Sequence, residues 1–239
     1  MRSRYAGAIC HALAEVNHEQ CARKSIFGDA IHVGGDDRFG RLGCGLKMTA
    51  RIQTAREQRY PWYVRLIFAL QRRRYGVELE PVRLWGRTPK VFAAVTLVYR
   101  MLERSSSPLE PVLRSLVMVR VSQMNWCEFC VDLNSAHALE RHVAPEKIGA
   151  LADFENSPLY SERERSALAY ADSMTDSTRK TTDSTMMRLR AQFEDEAIIE
   201  LTALIAFQNL SSKFNAALGV APQGICQLPM PVLGPPLSL

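Results

Sequence analysis

The run RSLVMVRVSQMNWCEFCVDLNSAH, residues 114–137, constrains the fold more than any other part of the chain. An apolar stretch that fits a buried helix precedes Cys127, and a polar stretch that also fits a helix follows Cys130. Asn125 is a residue type that commonly caps a helix, and it stands two residues before Cys127. A helix that starts here holds both cysteines in its first turns, where residues three apart share a face. The run therefore predicts two helices, with the cysteine pair at the start of the second.

The predicted position of Cys127 and Cys130 favours thiol–disulfide chemistry. The first turn of a helix presents N–H groups without backbone partners and the positive end of the helix dipole, and both stabilise a thiolate. A free cysteine has a pKa of about 8.5, and such surroundings bring it toward neutrality or below. We therefore interpret the pair as redox-active.

Two other interpretations of the cysteine pair stay open. A structural zinc site needs four ligands, and the pair supplies two of them. His137 and His142 follow, but on one continuous helix they point about 140° away from each other. Buried, unreactive cysteines are the other alternative; against it, the pair has a polar rim of Asn125, Glu128 and Asp132.

The remainder of the chain predicts an all-α fold, because helical periodicity recurs and no long stretch alternates with the period of a strand. Ser161 and Glu164 form a capping box, and Gly219 is placed to end the last helix. Predicted helices cover about residues 61–75, 90–103, 111–125, 126–142, 145–152, 162–175, 184–193 and 196–218.

Two of these helices have apolar stripes that bear on packing. Trp62, Leu66 and Leu70 lie on one side of the first helix, with arginines elsewhere. This pattern favours a helix docked on its own core, and a helix lying on a membrane surface is the alternative. The helix over residues 90–103 is so rich in valine and leucine that we expect most of it to be buried.

Composition divides the chain into three parts. Residues 1–47 are rich in glycine and aspartate and are predicted to form a mobile extension; residues 48–222 form the helical domain; residues 223–239 form a proline-rich tail. No run approaches the ~18 apolar residues of a membrane span, and no signal-peptide core is recognisable. We therefore expect a cytoplasmic protein without stable membrane insertion.

The charge is unevenly distributed. The net charge is +5 overall, whereas residues 51–100 hold eleven basic and three acidic residues, a net of +8. No nucleic-acid recognition motif accompanies this basic segment, so we expect a solvated or paired face and no nucleic-acid partner.

The run around the cysteine pair resembles the carboxymuconolactone decarboxylase-like superfamily, in its alkylhydroperoxidase D-like branch. The resemblance covers about residues 60–226, with decreasing strength away from the pair. It implies an alkylhydroperoxidase D-like helical bundle that assembles as a homo-oligomer, a trimer or a hexamer. It also implies that Cys130 attacks a hydroperoxide, that Cys127 resolves the product to a disulfide, and that an external dithiol restores the pair.

The sequence departs from the redox-active family pattern at two positions. Ser115 stands where the pattern has Glu, twelve residues before the first cysteine, and Asn134 stands where it has His, four after the second. Because neither titrates near neutral pH, the resemblance implies a slow peroxidase, with Glu128, Asp132 and His137 as the nearby titratable candidates.

Nothing in the sequence requires a metal, a flavin or a nucleotide. Two other functions stay open beside peroxide reduction. One is a non-catalytic or redox-sensing oligomeric binding protein. The other is a non-redox enzyme like the lactone decarboxylase for which the superfamily is named.

Overall fold

A computed structural model describes residues 50–52 and 59–228, and every regular element in these ranges is a helix. The all-α prediction is thus confirmed. The described residues form nine α-helices and one 3₁₀ turn at Ala150–Asp153. The helices are α1 Trp62–Tyr75, α2 Glu80–Trp85, α3 Pro89–Leu102, α4 Pro111–Met124, α5 Glu128–Glu140, α6 Pro145–Gly149, α7 Glu162–Thr175, α8 Asp183–Arg190 and α9 Asp195–Leu218.

Helix α4 is the centre of the bundle. It packs against α5, α7 and α9, and Leu116, Val119 and Val121 are completely buried. A helix that is apolar on most of its circumference belongs in a core rather than at a surface. The neighbouring α5 runs antiparallel to α4, so the two form a hairpin whose connection is the cysteine segment.

Local signals set most helix boundaries. Proline begins α3 and α4, at Pro89 and Pro111, where its missing N–H costs no hydrogen bond. The predicted capping box of Ser161 and Glu164 begins α7, and Gly219 ends α9 in the left-handed conformation with φ 67°.

Two boundary predictions were wrong. The cysteine helix does not follow an Asn125 cap: Asn125 ends α4, Trp126 adopts φ 56°, and α5 begins at Glu128. A left-handed residue cannot continue a right-handed helix, so the chain turns before the cysteines. The short helix α2 lies where no helix was predicted; Pro81 stands in its first turn, where proline is tolerated.

The faces of α1 and α3 are turned differently from the prediction. Trp62 is 76% exposed, and Leu66 and Leu70 are also exposed, while Val64 and Phe68 point inward. Both sets repeat every four residues, so periodicity alone did not distinguish them.

In α3 the expectation of general burial was wrong. The buried apolar side chains are Phe92 and Leu102. A contiguous set on another side is exposed: Val91, Leu97, Val98 and Met101.

The predicted extension, residues 1–47, lies outside the described residues, as does 229–239. The helices all fall within the predicted domain, residues 48–222. The chain after Gly219 packs back on the bundle, with Val220 and Cys226 buried. Within residues 50–52 and 59–228, none of the helices combines the length and the apolar character needed to span a membrane.

Candidate active site

The site is built around a disulfide between Cys127 and Cys130. Their Cα atoms are 5.2 Å apart, and the residues are only 1% and 3% exposed. The structure therefore brings together the two cysteines that the sequence predicts as a pair. Their burial means that neither sulfur is directly open to a large reactant.

Cys127 is itself the N-cap of α5. Its Sγ accepts a hydrogen bond of 3.2 Å from the backbone N–H of Cys130, the role usually played by a Ser or Asp oxygen. The left-handed Trp126 and a hydrogen bond from Cys127 N–H to Ser122 O, 3.1 Å long, hold this turn. Cys130 therefore lies in the first turn of α5, near the positive end of its dipole.

A side-chain amide contacts the second sulfur. Asn215, in α9, is 2% exposed and donates from Nδ2 to Cys130 Sγ over 3.2 Å. Asn215 falls in the predicted last helix, residues 196–218, and was not predicted to belong to the site. The available signal was a polar row: Gln208, Ser212 and Asn215 recur at helical spacing on the buried face of α9.

Asn134 belongs to a network of uncharged groups beside the disulfide. Its Nδ2 donates to Ser122 Oγ over 3.1 Å, and Gln208 Nε2 donates to the same oxygen over 2.9 Å and to Ser212 Oγ over 2.8 Å. Ser122 Oγ in turn donates to the carbonyl of Met118 over 2.6 Å. All four side chains of the network are buried. Such a network fixes positions but offers no group that titrates near neutral pH.

Ser115 lies in a different hydrogen-bond group, about two turns of α4 before Ser122. Its Oγ donates to Pro111 O over 3.1 Å and accepts from Arg141 Nη1 over 2.9 Å. Arg141 also forms an ion pair with Glu103. The structure therefore does not join Ser115 to Asn134.

The remaining predicted titratable groups are also engaged or turned outward. His137 Nε2 lies 2.9 Å from Tyr75 Oη. Burial lowers the pKa of His137 from its ordinary 6.5, with Arg74 acting in the same direction and Glu140 opposing. Glu128 is exposed at the first position of α5.

Asp132 holds the chain that follows α9, residues 219–228, which we call the strap. Its two carboxylate oxygens accept from the backbone N–H groups of Gln223, over 2.8 Å, and Cys226, over 2.6 Å. The side chain of Gln223 in turn accepts from Glu80 N–H over 2.8 Å. Asp132 thus fastens the strap to the cysteine helix rather than facing the sulfurs.

The strap and α2 cover the disulfide. Leu79, Leu84 and Val220 are buried in one apolar cluster with both cysteines, and Ile225 packs against it. We therefore expect reactants to reach the sulfurs when part of this cover moves. No group of three or more His, Cys, Asp or Glu side chains arranged to hold a metal ion occurs in the described ranges.

Comparison with known proteins agrees with the resemblance. Residues 89–173 match the model of the carboxymuconolactone decarboxylase family. The chain is 47% identical over 160 residues to the uncharacterized protein YnjA of Escherichia coli K12, which covers 67% of this chain and 88% of YnjA.

Two solved structures share the fold. The apo debrominase Bmp8 superposes with a TM-score of 0.62 at 22% identity, over 69% of this chain and 88% of Bmp8. ATU0492 of Agrobacterium tumefaciens, a protein of unknown function described as a putative antioxidant defence protein AhpD, gives 0.52 at 29% identity, over 54% and 88%. With its helical bundle, its family match and its near relative, this chain belongs to the carboxymuconolactone decarboxylase family, in the alkylhydroperoxidase D-like superfamily.

Proposed function

We propose that the chain is a thiol-dependent oxidoreductase that reduces hydroperoxides through a dithiol–disulfide cycle of Cys127 and Cys130. One observation carries the proposal: the two sulfurs are bonded to each other at the start of α5. In addition, Asn215 donates a hydrogen bond to Cys130 Sγ. The helix start and the amide donor both favour a thiolate at Cys130, which supports its assignment as the nucleophile.

The cycle balances with a hydroperoxide and an external dithiol. The Cys130 thiolate attacks the terminal oxygen of R–O–O–H, an S–O bond forms, and the O–O bond breaks. The alkoxide takes a proton from water and leaves as an alcohol, while Cys130 is oxidised to sulfenic acid. Cys127 then attacks the sulfenic sulfur, water leaves, and the disulfide forms; thiol–disulfide exchange with the external dithiol restores both thiols.

The rate of peroxide reduction that we expect follows from the uncharged side chain of Asn134, which stands where the family pattern has His. Asn134 hydrogen-bonds to Ser122 and carries no titratable proton. General acid–base catalysis typically contributes about 10²–10⁴-fold, so we expect peroxide reduction without that contribution.

The test uses the reduced full-length chain and one equivalent of tert-butyl hydroperoxide. Peptide mass spectrometry should find the Cys127–Cys130 cross-link. Cys130→Ser should leave the peroxide unconsumed, and Cys127→Ser should accumulate a sulfenic acid on Cys130. Free thiols at both positions after wild type meets the hydroperoxide reject the proposal, and a sulfenic acid on Cys127 reverses the two roles.

A redox sensor is the second candidate, because both sulfurs are buried under the strap and α2. A sensor is oxidised once and transmits the change, whereas an enzyme consumes many equivalents of peroxide when a dithiol is supplied. Peroxide consumption per chain in excess dithiothreitol separates the two.

The exposed face of α3 favours a homo-oligomer, a trimer or hexamer, as the assembly. Val91, Val98 and Met101 lie within about one third of the helix circumference and are about half exposed. We expect Val98→Asp to lower the mass measured by light scattering. The control Arg100→Asp, on an exposed position of the same helix about 140° around its axis from the centre of this face, should leave the mass unchanged.

A further inference from the structure

The side-chain NH₂ group of Asn215 donates a hydrogen bond, whereas its carbonyl oxygen has no partner among the described residues. Nδ2 donates to Cys130 Sγ over 3.2 Å, while Oδ1 is buried and accepts no hydrogen bond from any residue in the described ranges. A buried acceptor without a partner lowers stability and is uncommon in folded proteins. The unpaired oxygen is therefore available to accept a hydrogen bond from a ligand.

The orientation of this amide follows from the sulfur. A thiolate or disulfide sulfur only accepts hydrogen bonds, so the NH₂ group must face Cys130. Because Oδ1 and Nδ2 are bonded to the same planar carbon, Oδ1 lies beside the same sulfur. The neighbouring amides are arranged differently, since Asn134 and Gln208 direct their donors to Ser122.

We infer that Asn215 is a catalytic residue that holds both reactants: Nδ2 stabilises the Cys130 thiolate, and Oδ1 accepts a hydrogen bond from the O–H group of the hydroperoxide. This inference rests on the proposed peroxide reduction. It assigns a substrate-binding atom in a site where the titratable groups of the family pattern are absent.

The hydrogen bond to Oδ1 lasts through the chemical step. The terminal oxygen of R–O–O–H keeps its hydrogen when it is transferred to sulfur, and it becomes the hydroxyl of the sulfenic acid. Oδ1 therefore accepts from the same O–H group before and after transfer. An amide suits this task because it positions the oxygen without gaining or losing a proton.

The experiment compares two oxidants on Cys130 alone. In full-length chains with Cys127→Ser, modification of Cys130 is followed by peptide mass spectrometry with tert-butyl hydroperoxide or with 4,4′-dithiodipyridine. The aromatic disulfide needs the thiolate but has no O–H group to donate. The ratio of the two rates therefore reports the contact with Oδ1, independently of the amount of thiolate.

Asn215→Leu removes both halves of the amide at nearly constant volume. One hydrogen bond to a charged group corresponds to about tenfold in rate. We expect the rate with the aromatic disulfide to fall about tenfold and the rate with the hydroperoxide about a hundredfold. Asn209→Leu is the control, because Asn209 lies in the same helix and bonds to Thr175 and Asn125; it should leave the ratio unchanged.

Asn215→Asp keeps an acceptor oxygen but puts a negative charge beside the thiolate, which disfavours the charged sulfur. Both rates should fall while their ratio stays near that of Asn215. This variant supplies the test if Asn215→Leu does not fold. An Asp variant as fast as wild type with both oxidants overturns the inference.

The remaining outcomes separate this inference from the proposed function. Equal losses with the two oxidants in Asn215→Leu overturn the assignment of Oδ1 to the substrate. Unchanged rates overturn the whole inference and leave peroxide reduction intact. A chain with Asn215 that reacts with the aromatic disulfide and not with the hydroperoxide overturns the proposed function together with this inference.

Discussion

The two ends of the α4–α5 hairpin differ in chemistry. At the cysteine end, the side chains that hydrogen-bond to Cys130 or to Asn134 are amides and hydroxyls, namely Asn215 and Ser122, and the buried carboxylate of Asp132 binds the backbone of the strap. At the other end, Arg141 pairs with Glu103 and bonds to Ser115. The groups that hydrogen-bond to Cys130 and to Asn134 are thus uncharged, while Arg141 and Glu103 form their ion pair at the other end of the hairpin.

This contrast explains what the departures from the family pattern mean here. The pattern places Glu and His at the positions of Ser115 and Asn134, which lie in separate hydrogen-bond groups. The side chains at these two positions are therefore not the Glu and His of the proton relay, and they also belong to separate hydrogen-bond groups. In the proposed reaction, the cysteine end would stabilise charge and position reactants, and water would supply the proton.

Placing a titratable group at the cysteine end should have the largest effect. We expect Asn134→His to raise the single-turnover rate of disulfide formation with hydroperoxide by about 10²–10⁴-fold, because imidazole supplies general acid–base catalysis. Stopped-flow measurement of the reduced chain checks this. An unchanged rate in a folded variant shows that proton transfer does not limit the reaction.

Adding Ser115→Glu to Asn134→His tests whether the two ends communicate. The sequence alone favours a joint effect of both groups. In the structure the position of Ser115 faces Arg141, so the new carboxylate should pair with that guanidinium. We expect the double variant to be no faster than Asn134→His, and a large additional gain would show that the ends are connected.

Loosening the strap should have the next largest effect. Asp132→Ala removes the acceptor of two backbone N–H groups, and hydrogen bonds to charged groups contribute about 1.5–3 kcal/mol. We expect reduction of the disulfide by dithiothreitol to become about 10–100-fold faster, measured by thiol labelling. Asp172→Asn, which weakens the ion pair with Arg120 elsewhere, should not change this rate. An unchanged rate in Asp132→Ala would mean that another part of the cover opens.

At the charged end we expect an effect on stability alone. Arg141→Met removes the partner of the partly buried Glu103 and the donor to Ser115. The free energy of unfolding in urea should fall by about 1–3 kcal/mol. Oxidation by hydroperoxide should keep its rate; a slower reaction would contradict the separation of the two ends.

The smallest effect concerns pH. Burial lowers the pKa of His137 below 6.5 in the folded chain, so the unfolded chain binds more protons between that lowered value and about 6.5. Stability should therefore be lost as pH falls through this window, by at most about 1.4 kcal/mol per pH unit. His137→Gln should flatten this part of the melting-temperature profile.

The control for the pH experiment is His142→Asn. Asparagine tolerates the left-handed backbone of this exposed position, where φ is 64°. The variant should keep the pH dependence of wild type. If it flattens the profile as much as His137→Gln does, burial of His137 is not the cause.

The sequence predicted what depends on neighbouring residues along the chain. The cysteine pair, the capping box and the helix end at Gly219 are local, and the structure has them. It did not predict which face of α1 is buried, because Val64 and Phe68 repeat with the same spacing as the exposed Trp62 and Leu66. Nor did it place Asn215 at Cys130, since that contact joins residues 85 positions apart.

The sulfur that caps α5 links the redox state of the pair to local folding. Cys127 Sγ accepts the hydrogen bond from Cys130 N–H, and it becomes a stronger acceptor when it carries the charge of a thiolate. Formation of the first turn of α5 and reduction of the disulfide are then thermodynamically coupled. An interaction that stabilises the capped turn also stabilises the reduced state in which Cys127 is a thiolate. Amide hydrogen exchange at Cys130 should consequently slow when the disulfide is reduced at a pH that ionises Cys127, so a single backbone proton reports the oxidation state of the protein.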